Sequence, residues 1–182
     1  MTVSAVPEKK TTWTIDAAHS HVEFAVKHLM ISTVKGRFGD VSGTVTAGDD
    51  TFRDAELDIK IGVASIDTRQ PDRDTHLRSA DFFEVEKFPT MTFKSTRVEP
   101  KGDDIKVTGQ LTIRDVTKDV VLTVTPEGTG KDPWGGVRAG FSATAKINRR
   151  DFGLTWNQAL ETGGFVVGDE IKISIDVELV KG

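Results

Sequence analysis

Apolar and polar positions alternate along most of this chain. Leu57, Ile59, Ile61 and Val63 alternate with Asp58, Lys60 and Gly62. Ile105, Val107, Gly109, Leu111 and Ile113 alternate with Lys106, Thr108, Gln110 and Thr112, and Ile171, Ile173, Ile175, Val177 and Leu179 with Lys172, Ser174, Asp176 and Glu178. A period of two is that of a strand with one buried face. Weaker alternation covers residues 13–16, 22–28, 34–46, 90–99, 116–125 and 137–147. The pattern predicts eight or nine strands. Arg114-Asp115, between Ile113 and Val116, reads as a two-residue hairpin turn in which Asp115 tolerates the left-handed conformation, and residues 101–104 form a second hairpin connection. Strands joined by short polar turns make an antiparallel sheet, and so many one-sided strands must close or stack to bury their apolar face.

Two stretches break the alternation. In residues 67–87 charge is clustered, and Asp72 or Asp74 is placed to cap a short helix running through His76, Leu77 and Ser79 to Phe82. Residues 151–170 are punctuated by glycine, with room for at most one helical turn around Trp156 to Leu160. Unpatterned loops of such length in a compact domain are usually functional or mobile. Residues 1–11 read as a flexible leader and 12–182 as a single barrel domain.

Composition narrows the function. Among 182 residues there is no cysteine, which removes disulfides, thiolate metal sites and thiol nucleophiles. With 24 basic against 28 acidic residues the formal charge is -4, opposite to the basic balance that phosphate contacts demand. Only 37% of positions are hydrophobic, no apolar run exceeds three residues, and the opening MTVSAVPEKKT lacks the basic and apolar regions of a signal peptide. A cytoplasmic protein without a membrane-spanning segment is the expectation.

The polar candidates for chemistry are few. His19 and His21 lie two residues apart, and with His28 or His76 and a carboxylate they suit a zinc or iron site; His21 and Glu23 also share a strand face, so a plain ion pair serves equally well. Ser20 or Ser79 with a histidine and Asp74 or Asp81 formally completes a hydrolytic triad, but no glycine-flanked nucleophile elbow is present. Asp151-Phe152-Gly153 copies a kinase tripeptide without the loops that accompany it. No glycine-rich phosphate loop occurs. Arg69, Arg73, Arg78 and Lys87 interleave with Asp67, Asp72, Asp74 and Asp81 around the expected helix, either as a solvated face or as a collar that orients a head group or pins the helix across a barrel end. Gly36, Gly43, Gly62, Gly109 and Gly140 fall within strand patterns, and Gly109, on an apolar face, subtracts core volume. A small barrel is either filled by its own side chains or left with room for one ligand, and these positions leave both readings open.

The order of landmarks is that of a known family. TWTIDAAHSHVEFAVKHL, VKGRF, SIDTRQPDRDTHLRSADFFEVEKFPTMTF, GQLTIRDVTKDV, NRRDFG and VGDEIKISIDVEL follow one another as in YceI-like proteins, which the chain resembles from Trp13 to Leu179. Asp115 stands where the family usually has glycine in the hairpin turn. The resemblance implies an all-β fold, a closed eight-stranded antiparallel lipocalin-like barrel with one short helix near residues 72–82. It also implies a ligand class, a polyisoprenoid, isoprenoid quinone or similar long amphiphile held in the lumen, and a homodimer. No cofactor follows from it.

The expected function is non-enzymatic binding, storage or transport of such a lipid. The wall is expected from Phe24, Val26, Phe38, Leu57, Ile59, Ile61, Phe93, Leu111, Ile113, Phe141 and Ile175, and the mouth from His28, Arg78, Phe82, Phe83 and Trp156. Two alternatives stand beside it: a metal-dependent or hydrolytic enzyme using His19, His21 or His76, and a structural dimer module with a filled barrel.

Overall fold

A computed structural model describes residues 9–182. Of the expected leader, residues 1–8 lie outside the described residues, and the first strand already starts at Thr11. In chain order the elements are β1 (Thr11–Ile15), β2 (His21–His28), β3 (Ser32–Phe38), β4 (Val41–Ala47), β5 (Glu56–Gly62), β6 (Ile66–Asp67), helix α1 (Pro71–Arg78), β7 (Thr90–Lys101), β8 (Asp104–Ile113), β9 (Val116–Lys131), β10 (Val137–Asn148) and β11 (Glu170–Lys181). Three short 3-10 turns punctuate them at Ala17–His19, Val63–Ser65 and Arg149–Phe152.

The sheet closes. Strands β1, β4, β5, β7, β8, β9, β10 and β11 form a ring of eight, sealed by pairing of β1 with β11, while β2, β3 and β6 extend from β11 as a second flap. Strand β11 serves both: Leu179–Lys181 pair with Trp13–Ile15, and Lys172–Asp176 pair with His21–Ala25. Between them the chain steps aside through Ala17–His19, where the amide of Glu178 donates to the buried hydroxyl of Ser20 at 3.1 Å. That bond occupies the serine proposed as a nucleophile. Every pair in the sheet is antiparallel, as hairpin-linked strands dictate.

Several local expectations change. Residues 34–46 are two strands, because Gly39-Asp40 interrupts the alternation and the chain turns there. Helix α1 is capped at Gln70 with Pro71 in its first turn, so neither Asp72 nor Asp74 is the cap. Asp74 instead lies buried inside the helix, where its carboxylate accepts from the backbone amide and hydroxyl of Thr68. The helix ends at Arg78 instead of Phe82, since the amide and hydroxyl of Ser79 both turn back to the His76 carbonyl. In the β8–β9 hairpin the left-handed residue is Arg114 (φ 57), not Asp115; its guanidinium donates to Glu84 at 3.0 Å. The helical turn of the last long loop lies upstream of Trp156, at Arg149–Phe152, closed by Gly153 at φ 77. Among the described residues no helix is long and apolar enough to cross a membrane.

Candidate ligand cavity

Alternation in eight strands turns every second side chain inward, and those side chains leave a cavity of about 250 Å³. All eleven residues expected on the wall line it: Phe24, Val26, Phe38, Leu57, Ile59, Ile61, Phe93, Leu111, Ile113, Phe141 and Ile175. Their parity explains why they share the inner face, since one residue placed in a strand places the others of its parity. Of the five expected at the mouth, Phe82 and Phe83 line the cavity; His28, Arg78 and Trp156 do not. Arg78 turns to the carbonyls of Ala64 and Ile66, at 3.2 and 3.0 Å, and so ties α1 to the segment before it. Arg73 does the same through the Thr68 carbonyl at 2.9 Å. His28 is held in a strand bridge with Val167. Trp156 packs edge-on against His76, with ring centroids 4.7 Å apart, and covers Phe82 from outside.

The glycines do not enlarge the lumen. A Cβ at Gly36 would lie 2.3 Å from Cζ of Phe24, and one at Gly109 would lie 2.4 Å from Cζ of Phe93. Each phenyl ring reaches over the glycine of a neighbouring strand, so the volume that Gly109 gives up is taken by Phe93. The rings thus cover backbone that would otherwise face the lumen bare.

Aromatic groups close both ends. At one, Phe24, Phe38 and Phe83 form a chain with centroid separations of 5.6 and 5.8 Å. At the other, Trp13, Phe52 and Phe141 are linked at 5.1 and 4.8 Å.

Apart from Ser142, the one polar side chain on the wall is Arg149, which is 3% exposed. Sequence reasoning passed over it inside the NRRDFG stretch, whose doubled arginine reads as surface charge. Its Nε donates to the Gly168 carbonyl at 2.8 Å and its Nη1 to the carbonyls of Leu154 and Trp156 at 2.6 and 2.9 Å. The side chain of Asp169 stands 3.6 Å away. Burial pulls the guanidinium below its ordinary pKa, only partly offset by Asp169. One side chain therefore fixes both limbs of the loop that folds over this end.

The histidines are held in separate settings. His19 donates to Asp16 at 2.8 Å and faces Glu178 at 3.6 Å. His21 lies 3.4 Å from Asp176 and 3.6 Å from Glu23. His76 is bonded to Asp81 at 2.9 Å. Asp16, His19 and Glu178 could together hold a metal ion, but Arg138 already occupies the carboxylates, with Nη1 at 2.6 Å from Asp16 and 3.2 Å from Glu178. A guanidinium at that place repels a cation.

Comparison with known proteins accords with this architecture. The YceI-like domain family matches residues 13–179. Protein YceI of Salmonella newport (strain SL254) is 40% identical over 166 residues, covering 91% of this chain and 84% of the relative. The Campylobacter jejuni YCEI protein, of known crystal structure, is 38% identical with a TM-score of 0.69 over 84% of this chain and 87% of its own. Burkholderia cenocepacia BcnA superposes with a TM-score of 0.77 at 25% identity, covering 90% and 98% of the two chains. A polyisoprenoid binding domain from Saccharophagus degradans, implicated in plant cell wall breakdown, shares the fold at 17% identity and a TM-score of 0.65, over 92% of this chain and 97% of its own. With its closed barrel, its apolar lumen and a family match from Trp13 to Leu179, this chain belongs to the YceI-like family.

Proposed function

We propose that the protein holds one apolar chain of the isoprenoid or long-chain lipid class in its lumen, as a non-enzymatic carrier or store. The observation that carries this reading is the cavity itself: about 250 Å³, lined by apolar side chains except for Ser142 and Arg149. Removing a chain from water is worth about 0.8 kcal/mol per buried CH₂, so the wall needs no directed contacts to bind it. Phe24, Phe93, Ile59, Leu111 and Ile175 would contact the tail. Arg149 is committed to backbone carbonyls, which supports a container over a reaction site. The volume, about 250 Å³, falls just below the roughly 300–1,000 Å³ usual for ligand pockets. It favours a tail of few isoprene units, or the terminal stretch of a longer one.

Organic extraction of the purified protein, followed by mass spectrometry, tests the reading. The expected result is a co-purified prenyl or acyl lipid, or a melting temperature that rises when an isoprenoid quinone is added. A lipid-free protein whose melting temperature ignores the quinone overturns it. The homodimer and the cytoplasmic location that accompany this reading are checked by light scattering and by fractionation of the native cell.

A further inference from the structure

The inner face of β11 is apolar along its length, but the charges on its outer face reverse, from Lys172 to Asp176 and Glu178. Outward from Asp176 and Glu178 lie Asp16, Asp132 and Glu127. At the other end Lys172 begins a row that the strand register aligns across four strands: Lys146 opposite Lys172, Lys172 opposite Ala25, and Ala25 opposite Lys35. Lys27 stands two residues beyond Ala25 on the same outer face of β2, as a period of two requires. Lys27, Lys35, Lys146 and Lys172 are all exposed, and among the described residues none has a carboxylate within ion-pairing distance. Arg37 adds a fifth positive charge, opposite both Glu23 and Asp67, and with Glu170 these are the three acidic groups on this part of the face. A protein of net charge -4 thus keeps a basic end.

That end also carries an exposed apolar tip; Trp134, 83% exposed, stands apart from it in the β9–β10 turn. The β2–β3 connection presents Leu29, Met30 and Ile31, with Met30 66% and Ile31 83% exposed. Phe165, 51% exposed, joins them from the last long loop, because the amide of Leu29 donates to the Val166 carbonyl at 2.9 Å and Met30 packs on Gly164. Two of the chain's three-residue apolar runs, Leu29–Ile31 and Phe165–Val167, are brought together here by the fold. Leu29 and Met30 adopt positive φ (52 and 61), a strained turn that holds three apolar side chains out of the barrel.

We propose that this end docks on an anionic lipid surface, with Met30, Ile31 and Phe165 entering the interface and the lysine row meeting the headgroups. The spacing suits the partner. At ~3.3 Å per residue Lys27 stands about 7 Å from Leu29, roughly one headgroup layer behind the inserted tip, and the row through Ala25 about 13 Å, just outside the headgroups. Unpaired lysines beside exposed apolar side chains are the two signals that together give stable attachment to such a surface. A second copy of the chain would present lysines to lysines across a two-fold contact here, which disfavours self-association. Val26 and Val167 of the cavity wall adjoin the tip, so docking sets the lumen beside the bilayer. The proposal does not depend on what the lumen holds.

Co-sedimentation with vesicles tests it. The parent protein is expected to sediment with vesicles of phosphatidylcholine and phosphatidylglycerol, to stay in solution with phosphatidylcholine alone, and to be released by salt. Ile31→Asp and the double variant K35E/K172E are each expected to weaken binding roughly tenfold or more while keeping the parent's melting temperature, both sites being on the surface. A parent protein that ignores the mixed vesicles at low salt overturns the proposal, as does Ile31→Asp binding like the parent. Self-association that disappears in Ile31→Asp overturns it too, by assigning the tip to a second copy. Uptake of N-phenyl-1-naphthylamine without vesicles reports the lumen separately, so failure of one reading is not mistaken for failure of the other.

Discussion

An arginine organises each end of the barrel, and the two do so by opposite means. Arg149 is buried and spends its donors on backbone carbonyls. Arg138, partly exposed, meets side-chain carboxylates: Asp132 at 2.9 Å, Asp16 at 2.6 Å and Glu178 at 3.2 Å. At the first end the charge is desolvated and its pKa is lowered by burial. At the second the carboxylates more than neutralise it, and hydrogen bonds to Asp132 and Asp16 hold its proton more firmly. Carbonyls cannot titrate, so the hydrogen bonds that hold the Arg149 end do not depend on pH, Asp169 being its one carboxylate neighbour; the Arg138 end is held by carboxylates, which can titrate. A loop over an apolar lumen gains its order from the first device, and a strand junction at the surface from the second.

The largest test of the difference is Arg149→Met. It leaves the carbonyls of Leu154, Trp156 and Gly168 without their donor, and one buried unpartnered group costs about 1–3 kcal/mol. A loss of at least about 3 kcal/mol is expected, about 6–12 °C in melting temperature at 2–4 °C per kcal/mol for a chain of this size. Thermal melts measure it, and limited proteolysis should newly cut residues 154–168. An Arg149→Met protein that melts like the parent and resists cleavage would mean the loop orders itself.

Next is Gly36→Ala. The new methyl collides with the Phe24 ring, so that ring must swing towards the lumen, at about 1–3 kcal/mol. Both the melting temperature and uptake of an apolar fluorescent probe should fall. Unchanged uptake would show that the ring moves elsewhere.

The acid limb comes third. Hydrogen bonds from His19 and Arg138 hold the Asp16 carboxyl at about 2, against 3.8 ordinarily. A carboxyl depressed in the folded state stabilises it above the unfolded value, and that stability is lost as pH falls through the folded one. Melting temperature should therefore drop between about pH 4 and pH 2, and Arg138→Gln should flatten part of the drop by releasing Asp16. His19 has the opposite sign: Asp16 raises its pKa, so its contribution is complete below its ordinary 6.5 and fades as pH rises through the folded value. An acid limb as steep in Arg138→Gln as in the parent would dissociate this end from Asp16.

The smallest effect is expected at Gly140→Ala, beside the charged end. A Cβ there meets only the Cβ of Glu127, at 3.7 Å, an ordinary contact. The change should stay within about 0.5 kcal/mol. A cost like that of Gly36→Ala would erase the contrast between a ring-covered glycine and an open one.

Legibility in the sequence followed the range of the interactions. The eleven wall residues were readable because strand period is local: Leu57, Ile59 and Ile61 declare a common face without reference to anything distant. What His28, Arg78 and Trp156 face was not readable, because what surrounds a barrel mouth depends on how loops lie. Arg78 was free to face a head group or a carbonyl, and only the position of Ala64 and Ile66 decides for the carbonyls. Arg149 gave no signal for the same reason, since its partners lie 5 to 19 residues away in a segment without pattern. Gly109 was read correctly as a loss of volume on its own strand, but the Phe93 ring that takes the space comes from the neighbouring one.

By itself, then, the sequence determined where most of the strands run, their buried faces, the absence of thiol chemistry and the family to which the chain belongs, all of which rest on residue type and on spacings of a few positions. The tertiary structure decided which flap β11 shares with which strand, how much lumen the phenyl rings leave, and where the two arginines find their partners. It also gathered Leu29–Ile31, Phe165 and four lysines at one end, although they lie on separate strands and loops. Those are long-range matters, set when the sheet closes and distant segments are forced to share one boundary with water.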